Sequence, residues 1–415
     1  KMAKVKIQGH ASGSGILTIT APNTSTDRTI TLPDATATIA TTVDTNALTT
    51  RVNATNGRKN LLINGDMQVF QRATAATAST TTYKTADRWM LYDSSSGAFT
   101  SEKYAMSLAE LNTTGHSQAL ELNVTTADTS IAAGEFCFIR QIIEAQNLQQ
   151  LQYGTAAAKD LTLSFWVKSK IAGIYCAQIL KTDSTAYFLP IEYTINNVDT
   201  WEYKTITYTP TAGSTSLITN SGGVITNDNN AGMQVTFGLV WGSDYHGTNN
   251  TWTSAAKYAT SNQVNWMSST SNDFYLAGVQ LEVGSVATDF EHRSFDVELD
   301  RCKRYFQKSY NYETSIGTST QIGFTTTGGH QGGTSTGYIE GGIEYDKVMR
   351  AVPSLTFYDH SGNAGKCARL HCGVQRFANE AIAASNQSPE RTCIYSTTGN
   401  AAGIVQVHFT ADAEL

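Results

Sequence analysis

Along FYLAGVQLEV, Phe274, Leu276, Leu281 and Val283 alternate with other residues, and Val279 falls one residue out of step after Gly278. Such alternation predicts a strand with one buried face, and the glycine at the phase slip predicts a bulge. Directly afterwards the period changes. Phe295, Leu299, Cys302 and Phe306 stand four, three and four residues apart, one narrow apolar stripe on a short helix over 294–308. Ser294 occupies the N-cap position, Asp296 and Glu298 the first turn, and Arg301, Lys303, Arg304 and Lys308 the end. Both charge placements suit the helix dipole.

The same reading divides the rest of the chain. Residues 1–58 carry isolated Ile, Val and Leu among Ala and Thr, too little apolar area to offset the ordering of a separate core. From Asn60 the texture shifts: 61–63, Asn64-Gly65 and 67–70 read as strand, turn, strand. Strand patterns follow at 86–92, 119–124, 136–143, 161–168, 175–180, 201–208 and 233–241. In 161–168 the alternating Leu161, Leu163, Phe165 and Val167 share one face. Strands at this spacing with Gly, Asn and Ser loops predict an antiparallel jelly-roll β-sandwich over 59–293. Beyond the helix, 309–415 alternates again in 338–345, 354–359, 367–374 and 404–415, with glycine pairs between, and reads as a distal Gly-rich β domain. The fold class is therefore mainly β, with a helical hinge at 294–308.

Composition sharpens this. Charged residues make up 15% of the chain, below the usual quarter, and Thr, Ser, Asn and Gly take their place. The net charge of −6 argues against a nucleic-acid partner, and no apolar run is long enough to insert in a membrane. Cys137, Cys176, Cys302, Cys367, Cys372 and Cys393 are scattered, the pattern of reduced, buried thiols rather than of a disulfide framework.

Several stretches resemble structural proteins of tailed bacteriophages. GVQLEVGSVATDFEHRSFDVELDRCKRYFQKS is similar to a phrase that recurs in tail fibres. There it closes a β-sandwich domain and opens the distal one. ITAPNTSTDRTITLPDATATI, the pair NLLINGDMQVFQR and YKTADRW, KVMRAVPSLTFYDHSGNAGK and the closing DAEL resemble tail-fibre segments as well. The 59–293 domain also resembles, more loosely, carbohydrate-binding modules. The resemblance implies a non-enzymatic receptor-binding fibre of the virion, assembled in the cytoplasm of a bacterial host. Residues 1–58 would dock on tail or adaptor proteins, and the β domains would bind host surface polysaccharide. It implies a homotrimer too, with Phe295, Leu299, Cys302 and Phe306 as the seam, since their spacing is that of a coiled coil. Packing of that stripe on its own chain is the alternative. A purely structural virion fibre or decoration protein and a capsule depolymerase are the competing functions.

Sugar recognition needs aromatic faces against apolar sugar C–H groups, with amide and hydroxyl donors beside them. The 241–266 loop offers these, and Tyr245, His246 and Trp252 are its candidate sugar-binding residues. Asp66 and Asp273 lie near the ends of the first and last sandwich strands and are candidates for a structural calcium ion. Glu340, Glu344 and Asp346 read as a solvated strand face rather than a catalytic carboxylate pair. Cys367, His371, Cys372 and Cys393 do not have the spacing of a zinc site. No cofactor is expected.

Overall fold

In the strand Leu161–Ser169, the inward Leu161, Leu163, Phe165 and Val167 are fully buried, while Trp166 and Lys168 on the other face are only half-buried. This alternation repeats through two antiparallel sheets. The computed structural model describes residues 59–77, 83–327, 339–371, 375–396 and 404–415, all within one compact unit. The 1–58 segment, several distal glycines and Cys372 lie outside these residues.

In chain order the first part holds β1 (Ala75–Thr77), β2 (Met90–Asp93), β3 (Ala98–Ala105), α1 (Leu108–Thr114), β4 (Gln118–Thr126) and β5 (Phe136–Glu144). Then come β6 (Leu161–Ser169), β7 (Gly173–Lys181), β8 (Tyr187–Ile195), β9 (Glu202–Tyr208), β10 (Ala231–Trp241) and β11 (Asp273–Val283). One sheet runs β1-β3-β4-β11-β6-β9 and the other β2-β5-β10-β7-β8. The last two strands thus enter the middle of the two sheets, the nesting of a jelly roll. Residues such as Leu122, Phe165, Phe237 and Leu276 fill the space between the sheets.

The chain departs from its sequence pattern at identifiable places. Residues 61–63 and 67–70 form no hairpin. They run as an irregular buried segment, with Asn64 at φ 55°. The Gln141 side-chain amide exchanges two 2.8 Å hydrogen bonds with the Ile63 backbone, and Asn64 Nδ2 donates to the Val69 and Asp87 carbonyls. Side chains here do the work of a strand partner. Strand β11 has two buried faces rather than one. Its outward Tyr275 and Ala277 lie under a cluster with Trp201 and Tyr104, and its Gln280 and Glu282 are bonded by the 288–291 segment. The bulge falls where expected, between Ala277 and Gln280, with Gly278 at φ 56°.

The helix α2 (Phe295–Lys303) is shorter than its stripe. Ser294 is its N-cap in backbone conformation, but the hydroxyl makes no capping bond. Phe306 belongs instead to β12 (Phe306–Lys308), the first strand of the distal sheet. Leu299, Cys302 and Tyr305 pack on Ile63 and Val69 of the same chain, Phe306 is buried, and Phe295 is 45% exposed against Tyr312. The stripe proposed as a trimer seam is therefore mostly spent within the chain, because the irregular entry segment presents an apolar surface to it.

The distal part continues with β13 (Thr325–Thr327), β14 (Ile339–Glu344), β15 (Ser354–Tyr358), β16 (Lys366–His371), β17 (Gln375–Ser385), β18 (Arg391–Ser396) and β19 (Ile404–Asp412). β19 pairs with β12, β13, β15 and β16, and Ile343, Phe357, Ile394, Val407 and Phe409 form a separate core. Cys137, Cys176, Cys302, Cys367 and Cys393 are free thiols, and the first four are buried. Among the described residues no helix is long and apolar enough to cross a membrane.

Candidate functional site

The register of β6 against β9 places Trp166 opposite Tyr203 on the outer face of the six-stranded sheet. Their rings lie 5.4 Å apart and tilted by 50°, and Tyr203 is 45% exposed. Across the other edge of β6 stands Ala277, too small to cover the indole. Ser164 and Thr205 flank the pair, so an aromatic surface carries hydroxyls beside it. Together with the 286–290 segment these residues border a groove of about 730 Å³.

The other wall is built by the β11 bulge. Gly278 adopts a left-handed φ of 56°, and a Cβ there would stand 2.2 Å from His116 Nε2. Only glycine lets the imidazole lie against the strand. His116 is 3% exposed, and its Nδ1 pairs with Asp66 Oδ1. His292, 59% exposed, brings its own Nδ1 to 3.9 Å from Asp66 Oδ2. Phe290 fixes both rings edge-on at 4.9 and 5.0 Å. Asp66 is held in turn by Gln68 Nε2 at 3.2 Å.

The rim segment folds back because Glu282 accepts hydrogen bonds from the Thr288 amide at 2.9 Å and its hydroxyl at 2.6 Å. Beside Trp166 the same face is braced by Lys168, whose ammonium lies 4.1 Å from the Tyr275 ring and 2.9 Å from Glu110. Burial raises the Glu110 carboxyl, but hydrogen bonds from Lys168, Ser107 and Trp201 outweigh it and hold the group at about 2. The sheet face beside the groove is thus charged and paired, while the Trp166–Tyr203 surface is left open. Such a groove suits a polar ring with apolar C–H faces, stacked on the aromatics and hydrogen-bonded along its edges.

The residues singled out from sequence lie elsewhere. Trp252 is 2% exposed in the sandwich core, with its indole N–H donating to the Thr209 carbonyl at 2.9 Å. Tyr245 packs against Trp241 and Tyr258 on the outer face of the five-stranded sheet, and His246 Nε2 lies 3.0 Å from the Trp241 carbonyl. Tyr245 and His246 are neighbours there, and Trp252 does not join them. Asp66 and Asp273 are also apart. Asp66 approaches β11 beside Val279, whose N–H donates to the Gly65 carbonyl; six strand residues toward Asp273 span about 20 Å. Asp273 pairs instead with Lys170 at 3.2 Å. Glu344 and Asp346 are exposed, and Asp346 meets Lys303 at 2.8 Å. Of the groove residues, Trp166 was legible: the alternation of 161–168 turns it away from the core. His116 and His292 carried no local signal, because a strand bulge and a returning loop bring them together.

No protein-family model and no curated protein matches the chain. Among solved structures it is similar to a Bacteroides thetaiotaomicron protein provisionally named as sugar-binding, at 13% identity over 54% of this chain and 100% of that one, TM-score 0.30. It is similar to a family 11 carbohydrate-binding module of Clostridium thermocellum at 11% identity, over 52% of this chain and 98% of that one, TM-score 0.26. The enzymatically active domain of tailspike protein 4 of bacteriophage CBA120 is similar at 10% identity, over 54% of this chain and 21% of that one, TM-score 0.26. Scores this low leave function to be read from the side chains.

Proposed function

We propose that this chain is a non-enzymatic receptor-binding fibre protein of a tailed bacteriophage, and that its β-sandwich binds host surface polysaccharide in the groove beside Trp166 and Tyr203. The observation that carries the sugar reading is the exposed Tyr203 ring paired with Trp166 in the wall of the groove. A large aromatic left open at a groove, with hydroxyls and imidazoles around it, matches the two demands of a pyranose: an apolar face and a hydroxyl edge. The phage assignment rests on the sequence resemblance. In this reading residues 1–58 dock on the virion, and three chains assemble so that three weak sugar sites act together through effective concentration.

The test is titration of the purified chain with oligosaccharides cut from candidate host polysaccharides, read by calorimetry. Tyr203→Ala is expected to abolish binding with little loss of stability, since half-exposed side chains contribute little to folding. Tyr245→Ala is expected to bind as the parent does. Parental affinity in Tyr203→Ala would overturn the site, and new reducing ends on incubation with polysaccharide would overturn the non-enzymatic reading. A monomer by light scattering would remove the trimer.

A further inference from the structure

We infer that Asp66, His116 and His292 form a binding site for a late first-row divalent cation of the zinc class at the wall of the groove. Their ligand atoms all lie within 4.8 Å of one another. They come from three separate segments: the irregular entry segment, the α1–β4 turn and the return after β11. Two imidazoles and one carboxylate on one side of an ion, with the remaining positions open, is a recurring donor set for transition metals. Zinc bonds of about 2.0–2.2 Å set two ligands farther apart than the direct Asp66–His116 hydrogen bond and closer than His292 Nδ1 stands to Asp66 Oδ2, at 3.9 Å. Closing falls on His292, which is 59% exposed, while the Asp66 carboxylate turns out of its hydrogen bond to His116, which is clamped between Gly278 and Phe290.

The second-sphere features agree. Gln68 donates to Asp66 Oδ2 at 3.2 Å and fixes the carboxylate plane, as outer-shell partners do around bound metals. His116 and His292 both border the groove, so the open positions of the ion face it. Two neutral imidazoles and one carboxylate leave a zinc ion with one net positive charge at that wall, suited to a carboxylate or a pair of hydroxyls. Contact between the ion and a saccharide rests on the sugar reading above; binding of the ion does not. Calcium is disfavoured, because it takes six or more oxygen ligands and two of the three donors are nitrogen.

The experiment uses the full chain stripped with chelator and titrated with Zn2+ alone, without saccharide, by calorimetry and thermal melting. One ion per chain and a rise in Tm are expected for the parent. His292→Ala and Asp66→Asn should each weaken that binding by more than the roughly 10–100-fold that loss of an outer-shell partner costs. Because His292 is largely exposed, its variant keeps the fold, and an unchanged apo Tm verifies this. Zinc uptake by His292→Ala equal to the parent, or no uptake by the parent, would overturn the site. So would a result in which Asp66→Asn lowers only the apo stability, which would make Asp66–His116 a plain ion pair. Sugar titration in chelator then separates the two ideas, since zinc can bind with or without sugar affinity and sugar with or without zinc.

Discussion

His408 shows how one residue couples the distal sheet to pH. It is fully buried on β19, stacked on Tyr310 at 3.8 Å, with Nδ1 3.0 Å from the Ser309 hydroxyl. Burial pushes the imidazole down to about 4. In the unfolded chain it takes up its proton near 6.5. Between those values the unfolded state binds more protons than the native one, so stability rises with pH. The native state is therefore unpenalised above about 6.5, loses stability as pH falls toward 4, and loses no more from this group below that. The shift corresponds to a loss on the order of 3 kcal/mol. Urea midpoints at pH 7 and 4.5 should fall further apart in the parent than in His408→Gln; equal intervals would refute the assignment.

At the scale of elements, the turn from α2 into β12 is a buried electrostatic joint rather than a free hinge. Glu144, at the end of β5, is fully buried and accepts from Arg304 Nε and Nη2, both at 2.8 Å, and from the Tyr305 hydroxyl. Burial raises its carboxyl, but the Arg304 and Tyr305 hydrogen bonds outweigh it, so the net shift is downward. Arg350 N–H donates to the Arg304 carbonyl at 2.8 Å and carries the joint into the distal sheet. Breaking a fully buried ion pair costs about 3–5 kcal/mol. Arg304 is 32% exposed and regains water, so Glu144→Ala should cost less, about 2–3 kcal/mol. Chemical denaturation checks this, and a change below about 0.5 kcal/mol, the scale of an exposed pair, would refute it.

Across the whole molecule, the final four residues lock the sandwich to the distal sheet. Glu414 pairs with Arg88 and, at 3.2 Å, with Arg72; the two guanidinium groups stack on Tyr305 at 3.4 Å and Phe306 at 3.8 Å. Arg350 donates to the Ala413 and Glu414 carbonyls at 2.8 and 3.0 Å. Arg88 is 1% exposed, so removing Glu414 strands a buried cation. Glu414→Ala is expected to raise hydrogen exchange in β12, β19 and the 83–93 segment together while leaving β6 and β9 protected. Uniform protection everywhere would show that the two sheets hold together without this clamp.

Most sandwich strands were legible because each buries a repeated apolar face, and repetition is a local property. β8 escaped because Pro190 breaks the pattern. It is tolerated there because β8 is an edge strand whose missing N–H costs no ladder bond. The stripe of α2 was legible as apolar, but not what it would meet: a helix face records that it needs a partner, and the partner came from Ile63 and Val69, more than 200 residues earlier. Tyr245, His246 and Trp252 looked like one exposed aromatic loop, yet solvent exposure depends on what folds over a residue, which composition does not encode. So the sequence by itself determined the mainly β class, the strand alternation, the bulge at Gly278 and the outward turn of Trp166, because those follow from neighbours along the chain. Tertiary structure alone decided the Trp166–Tyr203 surface, the Asp66–His116–His292 cluster and the Glu414 clamp, because each joins groups far apart along the chain that become neighbours only through strand pairing and the packing of distant segments.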